Sequence, residues 1–187
     1  VNCDASPSVP EITDAQCSAV GDVTLPSLKY ETTSGVTYAI TAGSLTPGST
    51  VTVTATAPDG KRFNTLPTGW SPVAGDPQKA PWPSPAFSTP NCLVSPVLPT
   101  ADQVVCQANG TPSTPKLTVL ATGADGVTYE QRGTVGAGNT VTVIAKAPAK
   151  TKFDANTIDT AKWTLSDGDR VATWTFQFAD PDCSAPL

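Results

Sequence analysis

The 187-residue sequence predicts an all-β protein of two antiparallel β-sandwich domains joined by a short Pro-containing linker. Three observations carry that prediction. Charged residues make up only 14% of the chain, against a usual value near 25%, while threonine (29), proline (19) and glycine (14) are abundant. Apolar and hydroxyl side chains alternate with a period of two in TVTVTATAP, residues 50–58, the pattern of a strand with one buried and one wet face. Finally, the chain repeats itself at an offset of about 90 positions, close to the size of one small sandwich domain.

The repeat runs in unbroken order. GVTY at 35–38 returns at 126–129, and TVTVTATAP returns as TVTVIAKAP at 140–148. Phe63, Trp70, Trp82, Phe87 and Cys92 return as Phe153, Trp163, Trp174, Phe178 and Cys183. The domains are therefore expected at 1–92 and 93–187, with residues 1–9 read as the junction from an upstream repeat that is not part of this sequence. Within each copy, GVTY leads into a hairpin whose turn falls at Thr46-Pro47-Gly48-Ser49 and Gly136-Ala137-Gly138-Asn139, where glycine supplies a positive φ. The tryptophans at 70 and 163 supply core aromatics, and the stretch from Trp174 to Phe178 reads as a last strand. Its first-copy counterpart, APWPSPAF at 80–87, is rich in proline, which cannot donate to a ladder, so it is expected at an edge or as an irregular segment. Short strands at this spacing between turn signals point to sandwiches of immunoglobulin-like type.

The five cysteines carry the next inference. The chain has no histidine and no Cys-x-x-Cys, so zinc and thioredoxin-like chemistry lack their ligands and no cofactor is expected. Oxidised structural cysteines imply a secreted or surface protein. The spacing admits two pairings: within repeats, Cys17 with Cys92 and Cys106 with Cys183, or across junctions, Cys3 with Cys17 and Cys92 with Cys106. If Cys17 ends a first strand lying parallel beside the last one, its sulfur meets that of Cys92. An extended junction would instead hold Cys92 and Cys106 up to roughly 45 Å apart, against a bridging limit near 7 Å between Cα atoms. Geometry thus favours pairing within repeats, which leaves Cys3 unpaired as the closing cysteine of an upstream unit. Pro7 and Pro10, matched by Pro96 and Pro99, suggest semi-rigid linkers.

Pro, strand, Cys, then GVTY, PGSTVTVTA, Phe63, GW at 69–70, and Phe178 followed by Pro181 and Cys183 form a pattern that resembles the tandem Ig-like repeats of actinobacterial surface proteins, many of them cell-wall-anchored. The resemblance covers nearly the whole chain, twice. It implies an extracellular or cell-surface setting, a stalk or spacer role as in an adhesin, and neighbouring repeats of the same chain as partners.

Other functions find little in the residues. A net charge of −5 and a pI near 4.5 argue against nucleic acid, which requires clustered cations. No apolar run approaches the roughly 18 residues of a membrane span, so this segment is not expected to insert in a membrane. Absence of histidine removes the ordinary nucleophile triads, and no enzyme activity is expected. Leu66-Pro67-Thr68-Gly69, the Asp167 and Asp169 pair and Asn109-Gly110-Thr111 each read as turn chemistry rather than as a sorting signal, a calcium loop or a glycosylation site. The alternative to a spacer is a binding module for a glycan, a host protein or a neighbouring cell, or a phage or pilus component. Its candidate residues lie in the first copy's Pro-rich segment around Trp82, namely Pro81, Trp82, Pro83 and Phe87.

Overall fold

A computed structural model describes residues 4–31 and 35–184. The described chain is all β, with fifteen strands and no helix. It divides into two compact units, one made of Val1–Gln16 and Val23–Asn91 and the other of Cys17–Asp22 and Cys92–Leu187.

Unit 1 contains β1 (Asp4–Ala5), β2 (Glu11–Thr13), β3 (Ser27–Lys29), β4 (Thr37–Gly43), β5 (Val51–Thr56), β6 (Arg62–Phe63) and β7 (Lys79–Pro83). Its largest sheet runs in the order β4-β5-β7, antiparallel throughout. The alternation read at 50–58 is realised in β5, where Val51, Val53 and Ala55 are buried and the intervening threonines half-buried. The turn joining β4 to β5 is closed by Ser49 N–H donating to Thr46 O at 3.1 Å, with Gly48 at φ 77°. Antiparallel β2 and β3 form a second layer, and Ile12 and Leu28 pack from it onto the core that holds Val53, Trp70 and Trp82. Two antiparallel layers around one apolar core are consistent with a β-sandwich.

Proline-rich β7 lies at a sheet edge, as its missing donors require. Ser84 takes over at the end of this strand. Its buried hydroxyl accepts from Val51 N–H at 2.9 Å and donates to Pro85 O at 2.8 Å.

Unit 2 contains β8 (Leu93–Val94), β9 (Thr100–Asp102), β10 (Lys116–Thr118), β11 (Thr128–Arg132), β12 (Thr140–Lys146), β13 (Lys152–Phe153), β14 (Thr164–Ser166) and β15 (Val171–Gln177). Here the large sheet has four strands, β11-β12-β15-β14. The extra strand β14 pairs with β15, a pairing that the proline-rich sequence of β7 has no counterpart for. Antiparallel β9 and β10 carry Ala101 and Leu117 onto the core around Val143, Phe153 and Trp174.

Three expectations need correction. The first long-range strand, β2, pairs antiparallel with β3 and not in parallel with the last strand β7. Residues 93–99, read as linker, begin with β8, which pairs in parallel with β13, and Val97 N–H donates to the Tyr129 hydroxyl at 2.6 Å. Likewise, residues 1–9, read as a junction, include β1, parallel to β6, and Ser8, whose N–H donates to the Tyr38 hydroxyl at 2.7 Å. In both units a chain that looked extended and free is stitched to the domain that follows it.

Candidate functional site

Disulfides join Cys17 to Cys92 and Cys106 to Cys183, with Cα atoms 5.5 and 5.3 Å apart and sequence separations of 75 and 77. Such bridges are typical of extracellular proteins. Cys3 lies outside the described residues.

The Cys17–Cys92 bridge anchors a small loop built by its own sequence. Ser18 N–H donates to Asp22 O at 2.8 Å, Gly21 N–H to Ser18 O at 3.1 Å, and Asp22 N–H to the Ser18 hydroxyl at 3.0 Å. Gly21 has φ 85°, which glycine adopts without strain. The loop is seated within unit 2 on the turn before β13. A Cβ added to Gly21 would come within 2.6 Å of the Thr151 carbonyl carbon and 2.8 Å of Lys152 N, so glycine alone permits this approach. Lys152 N–H donates to Cys92 O at 3.0 Å, and its ammonium meets the Asp22 carboxylate at 2.6 Å.

That hydrogen bond, donated by the ammonium to the Asp22 carboxylate, and then the carboxylate's charge raise the Lys152 pKa above the ordinary 10.5. A group whose folded-state pKa is raised stabilises the fold fully below its unfolded pKa, and the contribution fades as pH rises through the raised value. The pair therefore acts throughout the neutral range. Gly21→Asn, which tolerates positive φ but adds the obstructing Cβ, is expected to unseat the loop; amide exchange at Lys152 should accelerate at least about tenfold, as for the loss of a local opening barrier above 1.4 kcal/mol. Unchanged exchange would mean that the loop does not rest on that turn.

The four binding candidates are not brought together on one surface. Trp82 is buried, opposite Val53 in the β5–β7 register, with its ring 6.4 Å from that of Trp70. Phe87 is also buried, held by Phe87 N–H donating to Ser49 O at 2.9 Å. Pro81 is half-buried and Pro83 exposed. Tyr38 and Tyr30 continue the aromatic series, stacked at 4.8 Å and partly buried against the same core, and burial raises the Tyr30 pKa.

Two concavities went unread in the sequence. One, in unit 2, has a volume of about 500 Å³ and is lined by Leu98, Ala101, Lys162, Trp174 and Phe176, with the last two rings stacked at 5.3 Å. Its signal was the pair of differences that place Ala101 and Phe176 where the first copy has Ile12 and Ser84. The other, in unit 1, has a volume of about 550 Å³ between the turn of Gly60, Lys61 and Arg62 and the turn of Gly75, Asp76, Pro77 and Gln78. Among the described residues no group of three or more His, Cys, Asp or Glu is placed to hold a metal ion, and no helix is long and apolar enough to cross a membrane. Compared with protein-family models, with curated proteins and with solved structures, the chain matches none.

Proposed function

We propose that this chain is a non-catalytic structural module of the extracellular space, disulfide-clamped immunoglobulin-like repeats that act as a stalk or spacer in a bacterial surface protein, with neighbouring repeats of the same chain as their partners. The observation that supports this reading is the placement of the two bridges. Each encloses almost a whole repeat, joining residues 75 and 77 positions apart. Tension applied along the chain passes through the cystines and leaves the enclosed residues unloaded. A spacer built this way keeps its length when pulled, because covalent bonds replace the hydrogen bonds that would otherwise carry the force.

The test is single-molecule extension between the termini. With the bridges intact, lengthening should be confined to residues outside the two loops. On adding a reductant, each bridge broken should release about 27 nm, at about 3.6 Å for each enclosed residue. Full extension before reduction would overturn the spacer reading.

A further inference from the structure

The loop that carries Gly21 has a counterpart, and so does its seat. Gln107 N–H donates to Thr111 O at 2.9 Å and Gly110 N–H to Gln107 O at 3.0 Å, the same two bonds that close the loop at Ser18 and Asp22. Gly110 has φ 76°, matching Gly21 at 85°. Unlike Gly21, Gly110 faces almost open space, since a Cβ there would find only Cys183 O at 3.7 Å.

The seat recurs in unit 1. Lys61 N–H donates to Pro58 O at 3.0 Å as Thr151 N–H donates to Pro148 O at 3.3 Å, and Arg62 begins β6 as Lys152 begins β13. Each strand then pairs in parallel with a two-residue strand. Where Thr151 and Lys152 hold Gly21, the matching turn of Lys61 and Arg62 borders the 550 Å³ groove.

We propose that this groove on unit 1 is the seat for the Gln107–Thr111 loop of a second copy of the chain. The proposal rests on reading the chain as repeated beads and names the contact by which the beads adjoin. Shape supports it, because the homologous loop already occupies the homologous turn within unit 2. Charge supports it as well: Lys61 and exposed Arg62 outnumber Asp76 in the groove lining, and Asp76 is paired with Lys79 at 3.2 Å, while the donor loop lies against Cys183, next to exposed Asp182. Hydrogen bonds from Ser184 hold the Asp182 carboxyl below its ordinary pKa, so it stays ionised in the neutral range. Donor and acceptor are different surfaces, so the contact is heterologous, and in this proposal it propagates from copy to copy as an open chain rather than as a ring. A contact of one loop in one groove is small, and a dissociation constant on the order of 0.1–1 mM is expected.

Sedimentation velocity of the oxidised protein over a concentration series tests this. The weight-average mass should climb past that of a dimer without a plateau. Gly110→Asn, which keeps positive φ and finds room in the free chain, should abolish the climb without changing thermal unfolding, because its Cβ would strike the acceptor backbone. Arg62→Glu should weaken it similarly. An equimolar mixture of the two variants should form a heterodimer and stop there, since one retains the groove and the other the loop. A chain that stays monomeric to about 1 mM, a closed symmetric dimer, or association untouched by Gly110→Asn would overturn the proposal. The extension experiment reads the bridges of one molecule alone, so the two readings can fail separately.

Discussion

Trp82→Ala is expected to lower the unfolding free energy of unit 1 by about 3–5 kcal/mol, the usual cost of deleting a buried aromatic ring. Trp82 is 6% exposed, so nearly all of its apolar surface would be replaced by a cavity. Its neighbours cannot collapse easily. Val53 lies opposite it on the central strand, Trp70 is held at 6.4 Å, and Gly69 sits so near that a Cβ there would be 2.8 Å from Trp82 Nε1. Urea titration followed by near-ultraviolet circular dichroism reads the change. Pro83→Ala, on the exposed face of the same strand, should shift it by no more than about 0.5 kcal/mol. A loss below about 1 kcal/mol for Trp82→Ala would mean that the ring is not part of the core, and would restore it as a ligand platform.

Removing the second bridge should have an effect of similar size through a different cause. Cys106→Ser combined with Cys183→Ser opens a loop of 77 residues and should cost about 4.5 kcal/mol in the chain-entropy account, since the unfolded chain regains the freedom that closure removed. Urea unfolding of unit 2 should then show a lower midpoint together with a steeper slope, because the uncrosslinked unfolded chain exposes more surface. An unchanged slope with a loss under about 1 kcal/mol would show that the bridge does not constrain the unfolded chain. The serine pair also removes the cystine beside the Gly110 loop, so self-association is better tested with the bridge intact, by comparing the parent chain with Gly110→Asn.

Much of the architecture could be read from local patterns. Period-two burial at Val51, Val53 and Ala55 is a property of six consecutive residues, and the structure realises it without change. The hairpin turn at Gly48 and the edge position of the prolines at 81 and 83 follow from φ and from missing donors, both intrinsic to the residues. Strands β1 and β8 could not be read in this way. Each is two residues long and is defined only by a parallel partner almost sixty positions away, so it leaves no periodicity behind. The same holds for β14, whose three residues become a strand because β15 lies beside them.

The candidate site divides along the same line. Cysteine spacing and the Gly-containing loops are visible as text, but their meaning depends on what approaches them. Trp82 in a proline-rich segment has the composition of a recognition surface, yet its side chain points into the core because it falls opposite Val53 and next to Trp70. Gly21 looks like any turn glycine. It is the backbone of Thr151 and Lys152, 130 positions further on, that makes it irreplaceable. By itself the sequence determined the all-β class, the hairpin and its turn, because these rest on propensities and periods within a few neighbouring residues. Only the tertiary structure decided which short segments became strands, which aromatic rings were buried and where the loop came to rest, because those outcomes depend on distant groups brought into contact by the fold.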